Sequence, residues 1–395
     1  MTGGAAQREP PSKHARSSRR ITAVKRALVT AFAVAATAVG MAVAIQDGTP
    51  GADGWRPLSA PAGFAPTSIA CPASGDCWAA GGQNDATGMW HLEHGVWTAV
   101  STEDGGGLRG ISCVTRDECW AVGQVVDWAN PEGGSPLVER WNGADWAPVA
   151  GSVPAVHGGL GAVTCITALD CWAVGQAGSE NAEGGPPLIE HYQGGAWLVE
   201  ATPAISGSGG LWAVACVSAH DCVAVGWGFD SRGSQVPLIE QYEGDAWTPA
   251  RVPPGGAGPG ISALYGVACV ASGDCWAVGD AGPNDAAVLV RHPNRGWRAL
   301  PLVGGAQLLG VACAGAGGEC WGVGWSAATG SGAAPPPEPY WGQPLVERRS
   351  GDSWTALDVS SAPAGGDQLL AVACTPGDGA CYAVSANVIE TNAGE

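Results

Sequence analysis

The sequence predicts an all-β fold in which seven four-stranded antiparallel blades close into a ring, a seven-bladed β-propeller. A cysteine pair occurs seven times, a tryptophan after a Gly-rich turn also occurs seven times, and the two markers alternate along the chain. The 63 glycines, 29 prolines and two lysines among 395 residues disfavour a helical protein. From residue 50 onward the repeat averages roughly 49 residues, close to the length of a propeller blade.

The N-terminal region predicts export. Residues 1–26 carry seven basic side chains and one acidic one, and they form a basic segment that we expect to stay cytoplasmic. Residues 27–45 carry no charge and form either a signal-peptide core, with a cleavage site at Ala42-Val43-Ala44, or an uncleaved signal anchor. Either interpretation exports a linker at 46–53, the propeller at 54–390 and a C-terminal tail at 391–395, so we expect an extracellular or cell-surface protein.

Charge excludes one class of partner. The chain beyond residue 26 holds 11 basic and 35 acidic side chains, a net charge of −24. Nucleic-acid binding requires a basic surface to neutralise phosphates, so we expect no nucleic-acid partner. Anionic membranes would also repel this region, which leaves the N-terminal segment as the membrane contact. We expect a monomer.

The third repeat unit shows the strands of one blade most clearly. Short apolar runs at 161–164, 171–174, 187–192 and 196–199 are separated by turn residues. The chain begins on a lone fourth strand at 54–58 and ends on a third strand at 387–390. The N-terminal strand therefore completes the last blade, and this closure removes the exposed edges of an open array.

The cysteine pairs flank the turn between the first and second strand of each unit. In an exported protein, this position predicts one hairpin disulfide per blade. Zinc ligation is the alternative, but the spacing exceeds that of usual zinc ligands and no histidine accompanies the pairs. The predicted pairs are Cys71/Cys77, Cys113/Cys119, Cys165/Cys171, Cys216/Cys222, Cys269/Cys275, Cys313/Cys320 and Cys374/Cys381.

Other recurrent residues carry a family resemblance. Val174-Gly175 and Val278-Gly279 end second strands, a tyrosine such as Tyr192 lies in the third strand, and a tryptophan lies in the fourth. Across all seven units these features resemble kelch and galactose-oxidase-like propellers, although the Gly-Gly doublet of kelch blades occurs only at Gly81-Gly82. The cysteine pairs more closely resemble uncharacterised exported repeat proteins of high-G+C bacteria whose units read SC-x5-CxAVG, and that resemblance implies no chemistry.

Three further sets recur and predict structural roles. The acids before the second cysteine could bind calcium, but one per blade cannot converge on an ion, so we expect them to stabilise turns through local backbone hydrogen bonds. Glutamates of the third strand recur in most blades, so we expect them to occupy a structural position. The tryptophans after the second cysteine and those of the fourth strand also recur, and we expect them to pack in the core or between blades. The acids are Asp76, Glu118, Asp170, Asp221, Asp274 and Glu319, and the glutamates are Glu93, Glu139, Glu190, Glu240, Glu347 and Glu390.

Functional residues are expected where the copies differ. The second-to-third loops and the connections between blades share one face and vary widely, and variable loops on a rigid scaffold usually carry function. Aromatic rings beside carboxylates suit a sugar or a peptide, although the same rings could simply pack long loops onto the ring of blades. The candidate ligand-binding residues are Asp127, Trp128, Glu132, Trp227, Asp230, Arg232, Trp325, Tyr340 and Trp341.

No catalytic motif is recognisable. The exported part has no lysine, no GxSxG elbow and no HExxH helix, so we assign no catalytic residue, metal or cofactor. The preferred hypothesis is a non-enzymatic module that binds a glycan, a cell-wall component or a cell-surface protein through the variable-loop face. The alternatives are a secreted carbohydrate-active hydrolase or lyase that uses two loop carboxylates, and a purely structural surface module.

Overall fold

The computed structural model describes residues 54–393, apart from positions 84–85, 103–105, 126–133, 150–156, 179–184, 204, 206, 254–259, 271–272, 283–284, 302, 315–318, 327–341, 358, 360–367 and 387. Residues 1–53, which hold the predicted export signal, lie outside this range. Within the described residues, no helix is long and apolar enough to cross a membrane.

Seven antiparallel sheets make up the described chain, as predicted. Blades 1 to 6 are formed in chain order by β2–β5, β6–β9, β10–β13, β14–β17, β18–β21 and β23–β26, and blade 7 is formed by β27–β29 with β1. The short β22 pairs with β20 in blade 5. The strands are β1 (Arg56–Leu58), β2 (Pro66–Ala73), β3 (Asp76–Gln83), β4 (Ala86–Glu93), β5 (Val96–Val100), β6 (Gly107–Thr115), β7 (Glu118–Val125), β8 (Ser135–Trp141), β9 (Trp146–Pro148), β10 (Gly158–Thr167), β11 (Asp170–Ala177), β12 (Pro187–Gln193), β13 (Ala196–Val199), β14 (Gly209–Ser218), β15 (Asp221–Phe229), β16 (Gln235–Tyr242), β17 (Trp247–Pro249), β18 (Ala263–Cys269), β19 (Cys275–Asp280), β20 (Asp285–Arg291), β21 (Arg298–Ala299), β22 (Val303–Gly304), β23 (Ala306–Ala314), β24 (Glu319–Ser326), β25 (Gln343–Ser350), β26 (Ser353–Leu357), β27 (Ala371–Cys374), β28 (Cys381–Ser385) and β29 (Val388–Thr391).

The ring closes as the repeat phase predicts. Strand β1 pairs antiparallel with β29, with Pro57 opposite Glu390, so the N-terminal strand is the outermost strand of blade 7. The first strand of each blade contacts the first strands of its two neighbours, including β2 with β27 across the closure. The first strands therefore line the central channel, and the fourth strands form the rim.

Each blade carries the predicted disulfide. All seven cysteine pairs are bonded, and in six blades the two cysteines are register partners across the first and second strands. Closing such a short hairpin contributes roughly 2 kcal/mol through the entropy of the unfolded chain.

The second cysteine of each pair is buried in the core rather than placed on a surface. Each is at most 1% exposed, and each lies in a different apolar cluster between blades. These seven residues are therefore structural and cannot contact a ligand. They are Cys77, Cys119, Cys171, Cys222, Cys275, Cys320 and Cys381.

Tryptophans fill the spaces between blades, as expected. The second-strand Trp172 of blade 3 packs against the fourth-strand Trp247 of blade 4, with ring centroids 5.2 Å apart and the planes nearly perpendicular. The same edge-to-face contact joins Trp78 to Trp146, Trp120 to Trp197 and Trp321 to Trp55. Such pairs add about 1 kcal/mol each beyond the apolar area that they bury.

The acids before the second cysteine do not have the predicted role. Their side chains reach a base on another strand, as in Asp170 with His191 at 2.8 Å, because the strand register places the acid beside the third strand. The matching pairs are Asp76–His91, Glu118–Arg140, Asp274–His292 and Glu319–Arg348. The turns use other residues: the hydroxyl of Thr167 accepts the backbone N–H of Leu169, and Thr115 and Ser218 act in the same way.

The third-strand glutamates require one correction. Glu139, Glu190, Glu240, Glu347 and Glu390 are at most 1% exposed and occupy equivalent positions. Glu93 is not equivalent: its side chain is 63% exposed beside the turn, and the register places Trp90 at the glutamate position of blade 1. Burial raises the pKa of Glu240, Glu347 and Glu390 to about 7.

Candidate functional site

The first strands carry a ring of bulged residues around the central channel. In the first strands of blades 1 to 6, the register with the second strand skips one residue. A bulge leaves this residue outside the hydrogen-bonded ladder and changes the direction of its side chain. In blade 7, the backbone N–H of Leu370 donates to Val384, which is also the register partner of Ala371. We call this set the bulge ring: Thr67, Arg109, Gly161, Trp212, Tyr265, Leu309 and Leu370.

The bulge ring is uneven around the channel. Trp212 of blade 4 stacks on Tyr265 of blade 5, with centroids 4.9 Å apart and planes 19° from parallel. Trp212 is nevertheless 40% exposed, although it lies on an innermost strand, so its ring borders the open channel. Gly161, in contrast, places no side chain in the channel.

A second ring lies next to the first, at the mouth of the channel on the variable-loop face. Near the end of most second strands a glycine, such as Gly226 or Gly324, is followed by a residue that pairs with the beginning of the first strand. The connection from the preceding blade reaches the first strand at this point. In blades 2 to 6 we call these the mouth residues: Gln124, Gln176, Trp227, Asp280 and Trp325.

Blades 4 and 5 together form an aromatic cluster at this mouth. The centroid of Trp227 lies 6.1 Å from that of Trp212, and Phe229 meets Trp227 edge-on at 5.4 Å. Together with Tyr265, these residues form a four-ring cluster, which we call the mouth cluster. Its exposed member, Trp212, can stack on a flat apolar surface of a ligand.

Asp280 fixes one side of the mouth cluster. Its carboxylate accepts a hydrogen bond from the hydroxyl of Ser262 at 2.7 Å. Burial, then the negative charge of Asp280 and a hydrogen bond to it, raise the pKa of Tyr265 to about 12, so the phenol stays protonated. Asp280 is the only carboxylate in the bulge ring and the mouth residues, so these two rings contain no pair of acids for glycoside hydrolysis.

The predicted ligand-binding residues fall into three groups. Trp227 belongs to the mouth cluster, and Trp325 lies at the mouth in blade 6, where its indole N–H donates to Gln307 at 3.2 Å. Asp230 and Arg232 lie in the loop after β15 and shape it. Asp127, Trp128, Glu132, Tyr340 and Trp341 lie outside the described residues.

The side chain of Asp230 forms hydrogen bonds within its own loop. Its carboxylate accepts the backbone N–H groups of Arg232 at 2.8 Å and Ser234 at 2.9 Å. These hydrogen bonds lower the pKa of Asp230, the bond from Ser234 most strongly. The carboxylate therefore stabilises a tight turn, a common use of aspartate in loops.

The sequence analysis did not identify Trp212 and Tyr265, because both lie in regular first strands rather than in the variable loops. A signal was nevertheless present. When the repeats are aligned on the first cysteine, the aromatic residues of GLWAVAC and ALYGVAC stand where the second and third units have Arg109 and Gly161. One position in the first strand therefore varies as strongly as the loops do.

The described residues contain no group of three or more His, Cys, Asp or Glu side chains that could hold a metal ion.

The chain matches no protein-family model and no curated protein sequence. Among solved structures it is similar to YCF48 bound to D1 peptide, with a TM-score of 0.56, 14% identity, and 88% of this chain and 99% of that chain covered. YCF48 from Cyanidioschyzon merolae gives a TM-score of 0.54 at 15% identity, with 86% and 98% covered. The WD40 β-propeller domain of Doa1 gives 0.54 at 13% identity, with 84% and 94% covered. At these identities the similarity establishes the β-propeller fold and neither the kelch-like nor the Cys-pair resemblance.

Proposed function

We propose that this chain is an exported or membrane-anchored propeller that binds a glycan or a protein ligand without catalysis, at the channel mouth on the variable-loop face. The observation that carries the proposal is the stacked pair of Trp212 and Tyr265, which leaves a large aromatic ring exposed on an innermost strand. A buried ring would serve packing, whereas an exposed ring beside hydrogen-bonding groups suits a ligand.

Two features support the proposed compartment. Seven disulfides favour an oxidising environment, since bonds of this kind are rare in the cytosol. The basic segment followed by the uncharged stretch at 27–45 supplies an export signal.

A protein ligand receives separate support. A propeller of similar fold was solved with a bound D1 peptide, so the architecture accommodates a peptide in at least one protein. The mouth residue Gln176, which is partly exposed, carries an amide group that hydrogen-bonds equally well to sugar hydroxyls and to peptide groups. The two ligand classes therefore need a direct test.

The test is a screen of the full chain on a glycan array and on a displayed peptide library. The double variant Trp212→Ala/Trp227→Ala should weaken binding of any ligand found by about thirtyfold, the effect of losing roughly 2 kcal/mol at a binding hot spot. Leu198→Ala is the matched control, because Leu198 is 51% exposed but lies on the outermost strand of blade 3. Ligands that bind the double variant and the control equally well would refute the proposed site.

A further inference from the structure

The glycine in the bulge ring opens a slot at the channel mouth. Each of the other six bulge-ring residues carries a side chain, whereas Gly161 of blade 3 does not. A slot of about 50 Å³ therefore lies between Arg109 of blade 2 and Trp212 of blade 4, with Gln176 beside it and glycine backbone as its floor.

Packing does not explain the absence of a side chain at Gly161. A Cβ at Gly175 would lie 2.0 Å from the carbonyl oxygen of Gly159, so close backbone contact requires that glycine. A Cβ at Gly161 would meet nothing nearer than 3.4 Å, and Gly161 is not in the left-handed region of φ. A side chain would fit here and would fill the slot.

A second cavity lies next to the slot. It has a volume of about 410 Å³ and lies along the seam between blades 3 and 4, with Pro186, Pro203 and Ile205 among its walls. The side-chain amide of Gln176, which borders the slot, donates to the carbonyl of Gly185, which lines the outer cavity, so this hydrogen bond lies between the two spaces. We call the two cavities together the seam groove.

The two ends of the seam groove differ in chemistry. Arg109 supplies the only charged side chain among the described residues that line either cavity. The chain beyond residue 26 carries a net charge of −24, so the positive charge that Arg109 gives to the described part of the lining is a local departure from an acidic protein. The outer end offers proline and isoleucine side chains, which suit an aliphatic or aromatic side chain better than a sugar.

We propose that the seam groove binds an extended peptide segment, with an Asp or Glu side chain in the slot beside Arg109 and an apolar side chain against Pro186, Pro203 and Ile205. This inference rests on the proposed function and specifies the ligand. The register passes over Gly161, so the backbone on the slot floor lies outside the strand ladder and faces the ligand. Arginine suits a carboxylate because its planar donors match both oxygens.

The test uses fluorescein-labelled octapeptides, acetylated and amidated to remove terminal charges. Each carries one Asp and one Leu, one to four residues apart, in a Gly/Ser background, and matched peptides replace Asp with Asn or Leu with Ser. Anisotropy with the full, disulfide-bonded chain should reveal a spacing at which the Asp–Leu peptide binds at least tenfold more tightly than either matched peptide. Equal binding of the Asp and Asn peptides at every spacing would overturn the inference.

Two substitutions locate the site. Gly161→Thr places in blade 3 the residue that blade 1 carries at this ring position, and it should weaken peptide binding at least tenfold without lowering Tm. Leu309→Thr introduces the same residue at the matching ring position of blade 6, which does not line the groove, and should leave affinity unchanged. Arg109→Gln should remove the preference for Asp over Asn while it retains the preference for Leu over Ser.

The outcomes separate this inference from the proposed function. If a screened ligand is lost in Trp212→Ala/Trp227→Ala but binds Gly161→Thr normally, the mouth site stands and the peptide groove is refuted. If neither substitution affects any ligand, both proposals fail. Tight binding of a sugar that Gly161→Thr abolishes would retain the slot and overturn the peptide assignment.

Discussion

The two interfaces of blade 4 are built differently. Toward blade 3, Trp172 is fully buried beneath His191, with ring centroids 3.8 Å apart, and it also meets Tyr242. Toward blade 5, Val223 occupies the position of Trp172, and Arg291 occupies that of Tyr242. One closed ring therefore tolerates both an aromatic interface and an ionic one.

The basic partner of the acid before the second cysteine also differs between the two blades. In blade 3, Asp170 pairs with His191 of the same blade, whereas blade 4 has Gln241 at the histidine position. Asp221 instead contacts Arg291 of blade 5 at 3.0 Å, and the arginine side chain is only 10% exposed. In both blades the acid therefore has a basic partner. In blade 3 this partner belongs to the same blade, and in blade 4 it belongs to the next one.

Buried glutamates follow the tryptophans. The position that faces each second-strand tryptophan from the next blade is a glutamate in five interfaces, and the two interfaces without the tryptophan lack the glutamate as well. The five pairs are Trp78/Glu139, Trp120/Glu190, Trp172/Glu240, Trp276/Glu347 and Trp321/Glu390, and the exceptions are Val223/Leu289 and Tyr382/Trp90. Tryptophan and glutamate therefore behave as one unit of the buried layer.

The largest expected effect tests the aromatic interface. Trp172→Ala should lower the free energy of unfolding by about 3–5 kcal/mol, because it removes a large, fully buried side chain. Val223→Ala at the matched position should cost only about 2 kcal/mol, in proportion to the apolar area lost. Urea unfolding followed by circular dichroism measures both, and equal losses would mean that the two interfaces are not distinct.

A smaller effect tests the ionic interface. Asp221→Asn should cost about 2–3 kcal/mol, because it leaves the buried Arg291 without its carboxylate. Asp170→Asn should cost about 1 kcal/mol, because the amide can still hydrogen-bond to His191, which retains its stacking on Trp172. The same unfolding assay at pH 7.5 compares the two variants. A larger loss of stability for Asp170→Asn would contradict the view that the ion pair between Asp221 and Arg291 stabilises the interface of blades 4 and 5.

The third prediction is a pH dependence of stability at the aromatic interface. Burial raises the pKa of Glu240 from its ordinary value of 4.5 to about 7, so the unfolded chain releases this proton first as pH rises. Glu240 should therefore lower stability progressively between about pH 4.5 and about pH 7 and add no further change above that range. Glu240→Gln should make this part of the profile less steep, with Glu347 and Glu390 still contributing, whereas Glu93→Gln, on an exposed side chain, should leave it unchanged.

Periodic markers made the fold predictable. Cysteine pairs and tryptophans repeat in phase, so blade number, strand order, closure and disulfides all follow from the sequence. The partners of the acids did not follow from the sequence, because Asp76 and His91 lie fifteen residues apart and are brought together only by the register between two adjacent strands. Glu93 was misplaced for the same reason, since a shift along the third strand changes which side chain faces the interface.

The site was only partly predictable. Loop variability identified Trp227, but it could not reveal a bulge that turns Trp212 and Gly161 toward the channel from inside regular strands. Cavities formed by missing side chains leave little trace in a glycine-rich sequence, because Gly161 resembles the glycines that close packing requires. Only the space around each glycine separates the two kinds.

The central claim is that divergent positions at the channel mouth bind a ligand, whereas repeated positions between blades provide stability. The most direct test measures Kd, per folded molecule, together with the unfolding free energy for Trp212→Ala and Trp172→Ala. We predict that Trp212→Ala loses binding and changes stability by no more than about 1 kcal/mol, while Trp172→Ala loses stability and its folded fraction binds as the wild type does. Undiminished binding by Trp212→Ala would contradict the claim.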